Sequence, residues 1–538
     1  MPEKDLIPGK AAAGSGERTG VSRRNLLIGG GAAAGLAALA GAGAVGYAWP
    51  RTAAAKPKPK PKPAPTPAPT PTPAPAQGGQ AYSFLSRPDL QPTRLSVDVL
   101  ATPADVPPYV FLVPKAYKGR GIGQRGLLIA GRDGDVVWFQ PGKKLHAFDF
   151  DVQTYKGKPV LTWWYGDPHA TSHGVGNCYI IDSTYARIAE VKCGNGLLAD
   201  LHEFNLTSQD TALVDAYKQQ QADMTSIGGR RDGVVLSGVV QEIDVATGDV
   251  IFEWSSLDHV PLTESMFRPG SLAGTGTTDN PYDYFHINSI GVAWDGDLLV
   301  SARNTSTVYK IGRHDGLVKW RLGGKSSNFS MGPGAKFYYQ HHVRAVGAGV
   351  ITIFDDGSSP RMEPQSRGII LNLDLEKMAA TLRQAFTSPA RLLADNQGSM
   401  QLLPDGRAFV GWGAEPYYTE FDANGSVIMQ GQLPNGDQSY RTFTRDWTGH
   451  PVDRPAVALR ANSARGAAVH VSWNGATEVA AWRVLAGKHQ SSLAAVATQS
   501  RTGFETMIAA DSTGPYFAVT AHDASGKQLG ESAVAKLG

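Results

Sequence analysis

After residue 80 the chain alternates short apolar runs with polar punctuation, and long stretches of helical period are almost absent. LLIAG, VLTWW, CYIID, ALVDAY, LLVSAR, VITIF and AFVGWG are bounded by Gly, Asp or Asn, as strands are. One compound unit returns six times: an apolar strand, a polar turn often holding Asp or Gly, then a strand ending in an aromatic or apolar residue. The copies are LLIAGRDGDVVWF, YIIDSTYARIAEV, QEIDVATGDVIFEW, VYKIGRHDGLVKW, ILNLDLEKMAATLRQAF and YTEFDANGSVIMQ. They lie about 50 to 70 residues apart, with room for one or two more strands between copies. Three or four strands taken six times predict an all-β body, a six-bladed β-propeller over residues 81–450. A sandwich array would also supply many strands; a β-helix is disfavoured by the long, uneven period.

Beyond Trp447 the texture changes. Pro451 and Pro455 punctuate a boundary, and residues 451–538 carry AAVHVSW, AAWRVLAG, TMIAA and YFAVTAHDASG. These predict a small C-terminal β-sandwich resembling fibronectin type III, with Trp473 and Trp482 in its core. The only two cysteines, Cys178 and Cys193, flank a hairpin whose centre falls at Tyr185 and Ala186. That pairing sets them opposite each other and predicts a cross-hairpin disulfide; two free buried thiols are the alternative.

Charge divides the 538-residue chain. Residues 1–80 hold ten Lys/Arg against three Asp/Glu, leaving 41 basic and 45 acidic residues in the body. A mildly acidic body argues against nucleic acid as a partner. Ser22-Arg23-Arg24-Asn25-Leu26-Leu27 is a twin-arginine export signature, followed by an uncharged Gly/Ala-rich stretch to Pro50. Residues 1–55 therefore predict a signal read by the twin-arginine (Tat) export machinery, cleaved after Ala55 or retained as a membrane anchor. Within the linker 56–80, KPKPKPKPAPTPAPTPTPAPA favours polyproline II and reaches about 65 Å at about 3.1 Å per residue. The expectation is an extracytoplasmic body, secreted or tethered to a membrane or wall.

Several motifs fail on context. Gly121 to Gly126 matches GxGxxG but precedes a strand, and Gly323-Gly324-Lys325-Ser326 lacks the first glycine of a phosphate loop. His202-Glu203 has no second His four residues on, and no GxSxG elbow is present. The acidic run Asp279 to Asp283 is weak for calcium, so neither metal nor cofactor is expected. The informative residues are histidines in unusual company: Asp200-Leu201-His202-Glu203-Phe204, His286-Ile287-Asn288-Ser289, and Gln340-His341-His342, with Arg303-Asn304 closing LLVSAR. They belong to different copies of the repeat, and the inner strands of a propeller bring such positions to one channel.

At these residues the chain resembles the arylsulfotransferase family. The likeness runs through DLHEF (200–204), YFHINS (284–289), SARN (301–304), KWRLGGK (319–325), YQHH (339–342), ITIFDDG (351–357) and QGSMQLLPDG (397–406). It implies a six-bladed propeller that moves a sulfuryl group from an aryl sulfate donor to a phenolic acceptor without a nucleotide sulfate. It further implies His341 as the nucleophile and His202, His286 and Arg303 as sulfate-binding residues. The family usually carries an acidic residue or Thr where His342 stands, and Asn where Asp356 stands.

The chemistry is coherent with those residue types. A neutral imidazole attacking sulfur splits one hard displacement into two through a sulfohistidine. The sulfuryl oxygens need fixed donors, which the planar Arg303 fork, the two other imidazoles and the Asn288 amide would supply. Adjacent strand residues face opposite ways, so His341 and His342 cannot both line the channel, and motif position selects His341. Asp200 or Glu203 would orient His202 or cap a turn. Phe285, Tyr338 and Tyr339 would wall a phenyl ring or fill the blade core. Two rivals remain: a non-enzymatic exported propeller whose C-terminal sandwich binds a glycan or protein, and a quinoprotein-like propeller suggested by the run 245–254.

Overall fold

The computed structural model describes residues 80–538 except 117–120, 143, 169–172, 435, 463–465 and 513. The export signature and all but the last residue of the linker 56–80 lie outside the described residues. No helix among the described residues is long and apolar enough to cross a membrane.

All six repeat units form antiparallel hairpins, and one local device explains the repeat. In each, an aspartate at the turn accepts a backbone N–H two residues on: Asp133 from Asp135, Asp182 from Thr184, Asp244 from Ala246, Asp315 from Leu317, Asp374 from Glu376 and Asp422 from Asn424, at 2.8–3.2 Å. Such a carboxylate mimics a backbone turn and reverses the chain without help from the core. The hairpins pair at Ala130 with Val136, Ile181 with Arg187, Ile243 with Val250, Ile311 with Val318, Asp374 with Ala379 and Phe421 with Val427. Helix is confined to three short turns among the described residues. The body is all-β.

Each hairpin is the outer part of an antiparallel meander. Ile287–Val292, Leu298–Ala302, Thr307–Ile311 and Val318–Gly323 form one sheet in sequence order, and His341–Gly347 begins the next. The meanders over residues 146–191 and 199–255 are joined into one eight-stranded sheet through the pair Ala199 and Gly176. Strand Thr442–Arg445 pairs with Tyr109–Leu112, so the first sheet holds the end of the body's chain.

Apolar residues between sheets are close-packed. Leu299, Val308 and Leu322 meet Ile351, Ile353 and Ile369, while Val110, Leu128 and Phe139 meet Phe409, Tyr418 and Met429. Each such side chain taken from water contributes about 1.5–3 kcal/mol. Strands buried on both faces explain why their sequences read as continuous apolar runs.

Past Trp447, sheets of three and five strands share a core of Val469, Val471, Trp482, Val484, Phe517 and Val519. Trp482 is buried as expected. Trp473 is only half-buried, with its indole N–H donating to the Asp453 carbonyl at 2.6 Å. This module is keyed to the body by polar contacts. The Asn474 amide exchanges two 2.9 Å hydrogen bonds with the Phe139 backbone, and the Tyr185 hydroxyl donates to the Gly475 carbonyl at 2.8 Å while accepting from Trp447 Nε1 at 3.0 Å.

The disulfide expectation is corrected. Cys178 pairs with Val191, not Cys193, and both thiols are free. The cause is the turn: Tyr185 adopts a left-handed backbone (φ 65°) and the Asp182 carboxylate gathers the N–H groups of Thr184 and Ala186. The reversal therefore falls earlier than the symmetric centre and carries Cys193 two places beyond its intended partner. Burial pushes both thiols above their usual range.

Candidate active site

The inner strands position the chemistry. His202 lies in Ala199–Leu206 at a register shift, His341 opens His341–Gly347, and His286 and Arg303 flank the hairpin of Ile287–Val292 and Leu298–Ala302. The Arg303 N–H donates to the His286 carbonyl at 2.8 Å, which locks those two residues side by side. His286 (φ 58°) and Tyr339 (φ 57°) take left-handed backbones, turning the chain where it enters the inner strand. His202, His286, Arg303 and His341 line one cavity of about 420 Å³.

Each imidazole is backed by a carboxylate. His202 Nδ1 bonds Asp200, His286 Nδ1 meets Asp283 Oδ2 at 2.5 Å, and His341 Nδ1 meets Asp356 Oδ2 at 2.7 Å. Against burial, the neighbouring imidazoles hold Asp200 and Asp283 below the usual carboxylate range, and an ionised carboxylate only accepts, so these two contacts place the proton on Nδ1 and leave Nε2 with its lone pair. At His341, where burial pushes Asp356 well above that range, the tautomer is set by the Gln397 backbone N–H, which donates to Nε2 at 3.2 Å and so leaves the proton on Nδ1. Gly398 (φ 106°) makes that approach possible, because a Cβ there would stand 2.4 Å from the Phe354 ring.

Electrostatics keep the nucleophile candidate neutral. Burial, then the Arg303 guanidinium and the neighbouring imidazoles, hold His341 well below the ordinary imidazole range. Burial likewise pulls His286 down to about 4 against the opposing pull of Asp283. Arg303 is half-buried; its guanidinium donates to Asn304 Oδ1 (3.0 Å) and the Asp395 carbonyl (3.3 Å) and lies 5.2 Å from the Tyr339 ring centroid.

The other expected site residues lie elsewhere. Asn288 is fully buried and donates its amide N–H to the Gln340 carbonyl at 2.6 Å, so it braces the strand bearing His341. Phe285 sits in the core against Trp254 and Tyr309. Tyr339 lies beneath Arg303 and against Phe267. None of the three lines the cavity; its aromatic walls are Phe148, Phe267 and Tyr440. Asp200, not Glu203, holds the His202 ring; Glu203 instead takes Arg344 (2.8 Å) and Arg441 (3.2 Å).

Glu203 and His342 belong to a second cavity, of about 750 Å³. The partition is regular: Phe148, His202, His341 and Tyr440 line the first cavity, and their successors Asp149, Glu203, His342 and Arg441 line the second. Strand alternation thus divides each consecutive pair between two chambers.

His173 escaped sequence reasoning because nothing around it repeats. Its ring lies 4.9 Å from that of His286, and Nε2 meets Asp283 Oδ2 at 3.1 Å. Burial opposes its charge, but Asp283 and Asp200 outweigh that and raise its pKa. The trios His173, Asp283, His286 and His173, Asp200, His202 bring ligand-type atoms within 4.8 Å. In both, the carboxylate oxygens are already bonded to imidazole nitrogens, which suits ion-paired support better than a cation.

Residues 151–434, more than half the chain, match the family Arylsulfotransferase (ASST). No curated protein matches the chain. Similar solved structures include a protein of unknown function from Bacteroides caccae (12% identity, 62% of this chain, 98% of that chain, TM-score 0.38). Others are virginiamycin B lyase from Staphylococcus aureus (8%, 70%, 95%, TM-score 0.32) and a protein from Lactobacillus plantarum (14%, 80%, 96%, TM-score 0.32). On the match over residues 151–434, the chain belongs to the arylsulfotransferase family.

Proposed function

We propose that the protein transfers a sulfuryl group from an aryl sulfate ester to a phenol through a sulfohistidine at His341. The family supports aryl sulfate sulfotransfer in general. The observation that carries the finer reading is a neutral His341 in the cavity wall, with Nδ1 on Asp356, Nε2 held only by a 3.2 Å bond from the Gln397 backbone N–H, and Arg303 in the same wall.

In the first half-reaction Nε2 releases the Gln397 N–H and attacks sulfur, the S–O(aryl) bond breaks and a phenolate leaves. In the second, the acceptor oxygen attacks sulfur, the N–S bond breaks and His341 returns neutral. Arg303 is charged throughout and holds the sulfuryl oxygens. With Nδ1 bonded to Asp283, His286 must take up a proton at Nε2 to donate to those oxygens, and an arriving anion favours that uptake. Asp283 then pairs with the resulting imidazolium ion. Phe148, Phe267 and Tyr440 offer rings to the aryl group.

In this reading the six meanders are propeller blades, closed by Thr442–Arg445 on Tyr109–Leu112, and the two C-terminal sheets are a fibronectin type III-like sandwich. The signature at Ser22–Leu27 and the Pro-rich run 56–76 support export through the Tat pathway and a tethered or secreted extracytoplasmic body.

The test uses nitrophenyl sulfate with and without added phenol. Acceptor-dependent nitrophenol release, a phenyl sulfate product, and a sulfuryl label on His341 are expected, all lost in His341→Asn. A folded sample that gives no transfer with a range of donors and acceptors would refute the reading.

A further inference from the structure

Sulfuryl transfer between phenols leaves a proton to be moved: the departing oxygen needs one and the incoming hydroxyl must lose one. We propose that Lys115 is the proton carrier of this site, giving its proton to the departing phenolate and taking one from the acceptor phenol. The proposal rests on the sulfuryl-transfer reading above.

Lys115 comes from the short strand Lys115–Ala116, which pairs with Asp437–Gln438. Its side chain lines the same cavity as His202, His286, Arg303 and His341. Nζ stands 3.5 Å from the Phe148 ring centroid and 5.9 Å from that of Tyr440, two of the cavity's aromatic walls. An amine between two rings is placed beside an aryl group docked there.

Beyond the face of the Phe148 ring, the groups around Lys115 do not balance its charge. Arg125 and His146 line a further cavity of about 340 Å³ that Lys115 also borders. Asp437, on the paired strand, accepts the Ile122 N–H at 3.4 Å through Oδ2. The Tyr440 hydroxyl donates to the His202 carbonyl at 3.0 Å. No carboxylate among the described residues forms an ion pair with Nζ. Burial, then Arg125, pulls the ammonium down to about 7, so both protonation states are populated near neutral pH. A carrier poised there is matched to its task.

Other cavity groups are committed. Arg303 does not deprotonate in this range. His341 is the nucleophile. The proton taken up by His286 is held on the sulfuryl oxygens, which stay in the site through both half-reactions. Asp395 accepts the hydroxyls of Ser358 (3.3 Å) and Ser359 (3.1 Å). Burial pushes the Tyr440 phenol well above its usual range.

The proton balance closes. Breaking the S–O bond yields a phenolate that takes the Lys115 ammonium proton and leaves as phenol, with the amine neutral. The acceptor phenol then gives its proton to that amine as its oxygen bonds sulfur, restoring the ammonium.

The test compares wild type with Lys115→Met and Lys115→Arg. The nitrophenol burst, whose leaving group needs little protonation, is expected to remain. Steady transfer to phenol is expected to fall about 10²-fold in both variants, as loss of a general acid–base does. Added small amines should restore part of the rate in Lys115→Met. Independently, labelling of Lys115 by an amine-reactive reagent should titrate near neutral pH. Full transfer in both variants, or labelling that titrates like an ordinary lysine, would overturn the assignment while leaving the sulfuryl reading intact. A wild-type protein without acceptor-dependent transfer would overturn both.

Discussion

Aryl sulfate binding should take up a proton, and the structure sets the range in which this happens. His286 in the free protein is pulled down to about 4 by burial, although its Nδ1 meets Asp283 at 2.5 Å. A sulfuryl group placed against its Nε2 adds a negative charge to the same cavity that holds Arg303. At about 4 Å and an effective dielectric of about 20, the attraction is about 4 kcal/mol. At 1.36 kcal/mol per pK unit that lifts the imidazole by about three units, to about 7.

The sign follows. Between pH 4 and 7 the free imidazole is neutral and the occupied one is protonated, so each unit of rising pH weakens binding about tenfold. Below about 4 both forms are protonated and above about 7 neither is, so affinity levels off at both ends. A nonreactive aryl sulfonate suits the assay, since its carbon–sulfur bond cannot transfer. Calorimetry at pH 6, in two buffers of different ionisation enthalpy, should show heats that differ by an uptake of close to one proton per site, reduced in His286→Asn. Heats independent of buffer, with affinity flat from pH 5 to 7, would refute the reasoning and place the sulfate group away from His286.

Three further outcomes are expected. Asp356→Asn, with its amide oxygen turned to the His341 Nδ1–H, should slow transfer by less than about tenfold, whereas Asp356→Leu leaves the ring without an acceptor and should cost about 10²-fold in kcat. Tyr185→Phe removes the hydroxyl joining Trp447 Nε1 to the Gly475 carbonyl and should lower stability by about 1–3 kcal/mol in denaturant unfolding, with protection lost first in residues 451–538. Intact mass after alkylation under denaturing, non-reducing conditions should show two modified thiols, at Cys178 and Cys193; an unmodified protein would restore the disulfide.

What could be read from the sequence follows the range of the forces involved. The six aspartate turns were legible because an Asx turn closes within two residues, so the text of the hairpin carries its own geometry. His202, His286, Arg303 and His341 were legible because each sits in a distinctive local run at the mouth of an inner strand. The Cys178 pairing failed on a conformational detail: a left-handed Tyr185 moves the reversal, and a shift of two places separates a disulfide from two thiols. Phe285 failed because a residue next to a site residue in an extended chain faces away from it; Asn288, two places from His286, would share its face by alternation, but the left-handed His286 and the register shift between Ile287 and Ser289 break that alternation.

Lys115, Phe148 and Tyr440 are the harder case. Nothing in Pro114-Lys115-Ala116 distinguishes this lysine from an exposed one, because its environment is made by strands more than thirty and more than three hundred residues away. Burying a cation without a partner opposes folding, and within a cavity lined by basic groups it also lowers the ammonium's hold on its proton. A lysine retained in such a place therefore needs a compensating use, and proton exchange with a phenol is one the surrounding rings and imidazoles can supply.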